Sequence, residues 1–298
     1  MHPSTSTIPP LSAVSLPAET LSPPSDGAAI IRAGETLLKS LASGRMLDAS
    51  TLRSALTLAF GGSDTEGKWI WKSAYEAVEV AQVLFLRKYL PAIRKGRSPA
   101  SILALLEKTA GLLPTHTRRS EEGVQLQQFS TPMKLAYLVS EAAALTPDDV
   151  VLEPSAGTGQ LAIFAESVST RLALNELGDT RADILAGLFP HSPLTRANAE
   201  HIHDHLDPAL VPSVVLMNPP FSASPFVTGT MRGVDLRHLK SALRRLSPGG
   251  RLVAITSFNL NPDTHTFREA FRTLAADYTL QLCAGLDGKL YRRHATTM

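Results

Sequence analysis

Residues 150–164 read Val-Val-Leu-Glu-Pro-Ser-Ala-Gly-Thr-Gly-Gln-Leu-Ala-Ile-Phe. The apolar run at 150–153 is short and stopped by Pro154, which predicts a buried strand rather than a helix. Gly157 and Gly159 let the backbone approach a ligand that a Cβ would hold away. The helical-looking stretch from Gln160 then offers N–H groups that have no intrahelical partner. Strand, glycine loop and helix in succession open an α/β unit, which binds its ligand at the carboxyl end of the strand.

Downstream of this unit, strand-like and helix-like segments alternate. Strands are expected at Val150 to Glu153, Leu172 to Glu176, Val214 to Asn218, Leu252 to Thr256 and Thr279 to Cys283. Such alternation predicts a largely parallel sheet with helices on both faces. Just upstream, Met133, Leu135, Ala136, Leu138 and Val139 predict one more helix. Residues 114–128 are polar and read as a connector at the start of a domain spanning 114–298. From 27 to 113 the pattern is helical: Ile30, Ile31, Leu37, Leu38 and Leu41 recur at helical spacing, and Trp69 to Leu84 continue the signal. Ser98 before Pro99 is a cap-then-proline start, with Gly111 as the stop. Aromatic residues at this spacing read as core. The first 26 residues, rich in Pro, Ser and Thr, are expected to form a disordered tail.

Of the 298 residues, 44% are hydrophobic and 19% charged, which excludes a fibrous or disordered chain as a whole. A formal net charge of +2 excludes a protein that coats nucleic acid through bulk charge, so any such contact must be local. Basic clusters at Arg94, Lys95 and Arg97, at Arg118 and Arg119, at Arg244 and Arg245, and at Arg292 and Arg293 read first as solvated surface. The single cysteine, Cys283, excludes an internal disulfide and reads as core. With no apolar run of bilayer length and no signal-like start, a cytoplasmic location is expected.

Two ligands fit the loop. Gly157-x-Gly159-x-x-Ala162 matches the dinucleotide fingerprint, and Glu176 ends the next strand where a ribose-binding acid belongs. Glu153, just before the loop, would however repel a pyrophosphate. It would favour S-adenosylmethionine, which has no phosphate and carries an ammonium and a sulfonium.

The chemistry is concentrated in Val214-Val-Leu-Met-Asn-Pro-Pro-Phe221, an apolar strand running into Asn-Pro-Pro-aromatic. An aryl amine is a poor nucleophile because its lone pair is delocalised into the ring. It reacts when acceptors hold its N–H groups and favour a pyramidal nitrogen. Asn218 offers a side-chain carbonyl and Pro219 a backbone carbonyl, while Pro219 and Pro220 present no competing N–H. Phe221 offers a flat face to a base, worth about 1–3 kcal/mol where bases stack on aromatics. The plain alternative is a turn, since Asn-Pro starts many turns.

Taken together, these motifs resemble the amino-group DNA methyltransferases. Gln128-Phe-Ser-Thr-Pro132 resembles that family's opening motif, Glu153 to Gly159 its cofactor loop, and Asn218 to Phe221 its catalytic motif. The resemblance covers about Gln127 to the C-terminus. It implies a Rossmann-like S-adenosylmethionine-dependent methyltransferase sheet, here with an N-terminal helical domain, and adenine N6 in DNA as the target. It further implies that Phe129 and Thr131 line the methionine end of the cofactor. Glu153, Ser155, Gly157 and Gly159 would hold its amino-acid part, Glu176 its ribose and Asn198 its adenine. Asn198 stands where the family usually has Asp. Leu216 to Ser222 and the ending Gly288-Lys-Leu-Tyr-Arg-Arg-His-Ala-Thr-Thr also resemble the methyltransferase segment of bacterial proteins that carry a strawberry-notch-type helicase.

The chain departs from the family in having no apolar run left after Cys283 for the usual closing hairpin, and no separate target-recognition domain. A partner chain or a further C-terminal region is therefore expected to choose the DNA target. Two rivals stay open: a glutamine methyltransferase, whose usual fourth motif residue is Tyr rather than Phe221, and a non-catalytic module that binds cofactor or DNA. His201, His203, Asp204 and His205 read as polar surface, because in a helix only His201 and His205 share a face and methyl transfer needs no metal.

Overall fold

The computed structural model describes residues 26–114, 130–169, 171–221 and 233–287. Five parallel strands form one sheet: β1 (Val150–Glu153), β2 (Arg171–Asn175), β3 (Leu194–Thr195), β4 (Val214–Met217) and β5 (Arg251–Ala254). Their order is β3-β2-β1-β4-β5, so the chain moves outward from β1 in one direction, then returns to continue on its other side. The crevice between β1 and β4 is the switch point, where an open α/β sheet leaves room for a ligand.

The strands are apolar on both sides because both faces are covered. On one face Val151, Leu172, Leu174, Val214 and Leu216 join a large core. On the other, Leu152, Ala173, Val215 and Met217 pack against Ile202, Leu206 and Ala242. The second face is covered by a 3-10 turn at Ala199–His201 and by α8 (Ile202–His205) and α9 (Val234–Leu243). The first face carries α5 (Met133–Ala142), α6 (Ala162–Glu166) and α7 (Asp179–Leu188). Above these lie α1 (Asp26–Ala42), α2 (Ala49–Phe60), α3 (Trp71–Arg94) and α4 (Pro99–Ala110). The same apolar core runs from Ile30, Leu37, Val80 and Leu86 of this layer to Val151 and Val214 of the sheet.

The expected helix signals act as read. Ser98 accepts from the Ser101 N–H at 3.3 Å with Pro99 opening α4, and Gly111 closes it. Trp69 and Tyr75 are buried in the core. The strand β3 escaped the sequence reading because two residues carry no period.

Two expectations are overturned at the C-terminal end. Thr279 to Cys283 form no strand, and Cys283 is exposed rather than core. Among the described residues nothing pairs with the outer side of β5, so the alternating leucines have no face to bury against. Leu280 and Leu282 stand 53% and 72% exposed. The last described helix, α10 (Arg268–Leu274), buries no residue.

At the amino ends of the strands one carboxylate ties three of them together. Asp149 Oδ2 accepts from the Thr146 N–H (2.7 Å) and from Arg251 Nη2 (2.6 Å), and Oδ1 accepts from Ser213 Oγ (2.7 Å). Burial alone would raise its pKa, but the bonds from Arg251, Ser213 and Thr146 outweigh that and hold the carboxyl well below the usual range. Asp149→Asn is therefore expected to lose about 2 kcal/mol of stability, the scale of hydrogen bonds to a charged group. The native carboxyl takes up a proton less readily than the unfolded one. Its stabilisation is complete above the unfolded pKa of about 4 and is lost as the pH falls toward the lowered native value. Urea titrations from pH 7 to 3 should show wild type and variant converging in acid.

Candidate functional site

All five strands point the same way, so their carboxyl ends share one edge of the sheet, and the residues singled out in sequence lie along it. The β1 loop carries Ser155, Gly157 and Gly159, with Glu153 ending the strand, Glu176 following β2, Asn198 following β3, and Asn218 to Phe221 following β4. Leu152 pairs with Val215, which sets Glu153 level with Leu216 and puts Asn218 two residues farther along the neighbouring strand. Phe129 lies outside the described residues.

Glu153 is 2% exposed. It takes a backbone hydrogen bond from Ala162, while Oε2 is buried without a hydrogen-bond partner. Desolvation and the nearby charge of Glu176 push its carboxyl well above the ordinary range, against the opposing Ala162 bond. An unsatisfied buried carboxylate oxygen costs the fold several kcal/mol unless a ligand meets it.

The glycines have separable reasons. Gly157 has φ +57° and Gly159 has φ +94°, both in the left-handed region. At Gly157 a Cβ would meet only ordinary contact, with Arg181 Nη1 at 3.6 Å. At Gly159 it would sit 2.5 Å from Phe189 Cε2. The close approach that Gly159 permits is thus to the end of α7, not to a ligand as the sequence suggested. The helix also begins later than expected, at Ala162.

Glu176 Oε2 accepts from the Gly157 N–H (2.9 Å) and Oε1 from the Gly178 N–H (2.8 Å). The N–H groups of Gly157 and Ala162 are therefore already bonded to carboxylates. This disfavours a pyrophosphate, and with it the dinucleotide alternative. Asn198 caps the 3-10 turn, its Oδ1 accepting from the Glu200 N–H at 3.0 Å.

Pro219 is buried, while Asn218, Pro220 and Phe221 are half-buried, with Phe221 packed on the large core. Asn218 Nδ2 donates to Thr131 Oγ1 at 2.9 Å. Thr131 is thereby joined to the Asn-Pro-Pro-Phe wall, and it makes no cap bond to α5.

Four further residues organise this edge, none of them found in sequence. Asn175, 1% exposed, donates to the carbonyls of Pro154 (2.8 Å) and Ala197 (2.9 Å) and accepts from the Ala197 N–H (3.0 Å). It pins the β1 loop to the loop that carries Asn198. Arg181 of α7 and Glu76 of α3 form a buried pair, Nε to Oε1 at 2.9 Å. Glu79, one turn along α3, accepts from Thr158 Oγ1 at 2.6 Å and from the Ser130 hydroxyl. The signal was present: Glu76, Glu79 and Gln82 interrupt an apolar run at i, i+3, i+6, and residues 73–83 of α3 are buried on every side.

The basic clusters that are described serve the fold. Arg94 bonds Ser167 (2.7 Å), Arg97 bonds the Ala92 carbonyl (2.8 Å), and Arg245 bonds the carbonyls of His203 and Leu206. His203 lies between Ser241 (2.8 Å) and Arg244 (2.7 Å), and among the described residues no group of three acids, histidines or cysteines could hold a metal. No described helix is long and apolar enough to cross a membrane.

No family model and no curated protein matches the sequence. Solved structures do match in part. A provisionally assigned RNA methyltransferase from Pyrococcus horikoshii is similar at 19% identity and TM-score 0.42, over 58% of this chain and 79% of that one. The modification subunit of a provisionally assigned type I restriction enzyme from Vibrio vulnificus YJ016 is similar at 16% identity and TM-score 0.40, over 67% and 51%. A precorrin-6y C5,15-methyltransferase from Geobacter metallireducens GS-15 is similar at 16% identity and TM-score 0.37, over 54% and 77%. The named substrates of these proteins differ, so they select none for this chain.

The two glycines should respond unequally to the same substitution. Gly157→Ala is expected to cost about 1 kcal/mol, the backbone strain of a left-handed L-residue. Gly159→Ala is expected to cost about 3 kcal/mol, because overpacking against Phe189 is added to the strain. Chemical denaturation of both variants measures the difference; equal losses would mean that the Phe189 contact does not constrain the loop.

Proposed function

We propose that this chain is an S-adenosylmethionine-dependent methyltransferase acting on an exocyclic amino nitrogen, with adenine N6 of DNA as the preferred target. The observation that carries the reading is a pairing at the switch point. A buried carboxylate with an unpartnered oxygen, Glu153, ends one strand, and the Asn218-Pro-Pro-Phe wall ends its neighbour.

The residues fit such a cofactor. Glu153 Oε2 is an acceptor awaiting a donor, and an ammonium supplies both the donor and the opposite charge. Glu176 spends one bond per oxygen on backbone N–H groups, and a carboxylate oxygen can accept a second, which suits ribose hydroxyls. Ser155, Gly157 and Gly159 shape the loop around the amino-acid end. Asn198 takes the adenine side, and Phe129 with Thr131 the methionine end. When bound, S-adenosylmethionine supplies a methyl group on a positively charged sulfur.

The protein's own part in the transfer is to prepare the target nitrogen. The carbonyls of Asn218 and Pro219 accept its N–H bonds and draw its lone pair out of conjugation. The two prolines offer no competing donor, and Phe221 stacks on the ring. As the N–CH3 bond forms and the S–CH3 bond breaks, the charge passes from sulfur, left as a neutral thioether, to the nitrogen, which the same two carbonyls hold until it gives its proton to solvent. Phe221 in place of Tyr favours a base over a glutamine side chain as substrate.

Two outcomes are expected. Below the raised pKa of Glu153, cofactor binding should release protons, because burial pushes this carboxyl up and an ammonium set opposite it brings it back down. Affinity should therefore rise with pH up to the raised pKa of Glu153 and then level off, and Glu153→Gln should flatten the slope. Calorimetry in buffers of different ionisation enthalpy reads this directly. The chain, incubated with methyl-labelled S-adenosylmethionine and unmethylated DNA, should yield labelled N6-methyladenine after digestion. Asn218→Ala should reduce that yield at least about 100-fold with cofactor affinity nearly unchanged, as for other lost transition-state contacts. Label on protein instead of DNA would move the assignment to a glutamine target. Loss of cofactor affinity in step with activity would remove Asn218 from the catalytic wall.

A further inference from the structure

We infer that Glu79, on a helix outside the sheet, is a positioning residue that clamps the cofactor loop to the segment holding the catalytic asparagine, so that α3 controls both halves of the site. The inference rests on the cofactor reading above.

The clamp has two arms from one carboxylate. Oε2 accepts from Thr158 Oγ1, between the two loop glycines, at 2.6 Å. Oε1 accepts from the Ser130 hydroxyl, one residue before Thr131, which in turn accepts from Asn218 Nδ2 at 2.9 Å. A third contact reinforces the loop arm, since Gln160 Nε2 donates to the backbone carbonyl of Glu79 at 3.0 Å. Glu79 is 2% exposed, Thr158 and Gln160 3% each, so water does not compete for the loop arm, while Ser130 on the other arm is half-buried. The loop's glycines have no side chains and the helix that follows is five residues long, so the loop is held by its neighbours: Asn175 and Glu176 on the sheet side, and Glu79 on the side of α3. One turn along α3, Glu76 holds Arg181, whose Nη1 lies beneath Gly157, so the same helix face meets the loop at two successive points. A side chain that only filled space would not pair both oxygens with hydroxyls from the two separate segments.

The two arms predict a split that a merely structural residue would not give. Thr158→Val should weaken S-adenosylmethionine binding about tenfold, the scale of a lost bond to a charged group, and leave kcat nearly unchanged. Ser130→Ala should lower kcat about tenfold, through Thr131 and Asn218, and weaken binding by less than Thr158→Val does, because Thr131 also lines the methionine end. Glu79→Ala should do both, and Glu79→Gln should largely restore both, because an amide can still pair with two hydroxyls.

The test has a readout that does not depend on turnover. Amide hydrogen exchange on the full chain without cofactor should be at least about tenfold faster in Glu79→Ala at residues 156–160 and at the start of α5, and return to wild-type rates in Glu79→Gln. S-adenosylmethionine affinity by calorimetry and kcat are then measured on the same proteins. Unchanged exchange at both segments, or equal effects of the two single-arm variants on affinity and kcat, would overturn the clamp. If Glu79→Ala fails to fold, Thr158→Val and Ser130→Ala decide by the same measurements. If the unaltered chain binds no S-adenosylmethionine, the reading of the site falls, and exchange alone decides whether α3 clamps the loop.

Discussion

Glu153 is a carboxyl group removed from water with one oxygen left unbonded, and much of the structure around it is arranged to make that tolerable. An ionised group there, with no partner, would cost more than a domain can spare, so burial pushes the free carboxyl toward its protonated form. The Ala162 N–H meets it from the start of α6. The loop between them cannot straighten, because Gly157 and Gly159 take a left-handed turn that returns the chain to the strand end. Burying this carboxyl has its cost and does nothing for the packing of the apolar core, although Gly159 also makes room for Phe189. A site whose polar groups are held away from water but incompletely satisfied is one built for a ligand that completes them.

The topology determines which residues share that site. Because β4 returns to the opposite flank of β1, the Asn-Pro-Pro-Phe wall lies next to Glu153, although 65 positions separate Glu153 from Asn218 in the chain. Asn175 then fixes the spacing between the β1 and β3 loops with three bonds from one amide. The helical layer closes the arrangement from above: α3 presents Glu76 and Glu79 to the loop, and α7 presents Arg181. The first third of the chain is therefore part of the site's construction.

The legibility of the sequence follows from the same physics. Strands buried on both faces must be apolar at nearly every position, so β1, β2 and β4 stood out as runs, as did the half-buried β5, and the acid or amide ending three of them was conspicuous against that background. Strand β3, only two residues long, left no pattern. Thr279 to Cys283 had the pattern and no sheet partner among the described residues, and alternation without a neighbour to pair with does not make a strand. Glu79 and Arg181 were hidden for another reason. Their roles depend on helices folding back over the loop, and the Thr158 to Glu79 bond closes a span of 79 residues. Local spacing cannot report such a contact, although two acids inside the fully buried stretch 73–83 were the mark it left.

The charge balance of the edge decides between the two ligands that the glycine loop admits. Four buried acids, Glu76, Glu79, Glu153 and Glu176, gather around the loop, and the cations set against them are Arg181 and Lys72. Glu76 is matched by Arg181, and Glu176 is satisfied by backbone N–H groups and the field of Arg181. Glu153 has no cation of its own, and burial pushes its carboxyl toward the protonated form. A pyrophosphate would bring two negative charges to this acid-rich place, with the Gly157 and Ala162 N–H groups already engaged. A ligand carrying an ammonium and a sulfonium against one carboxylate brings one net positive charge to the place where the protein lacks it. Acid-rich surroundings thus turn an otherwise permissive glycine loop into a selective one, and they do so through residues drawn from both the sheet and the helices above it.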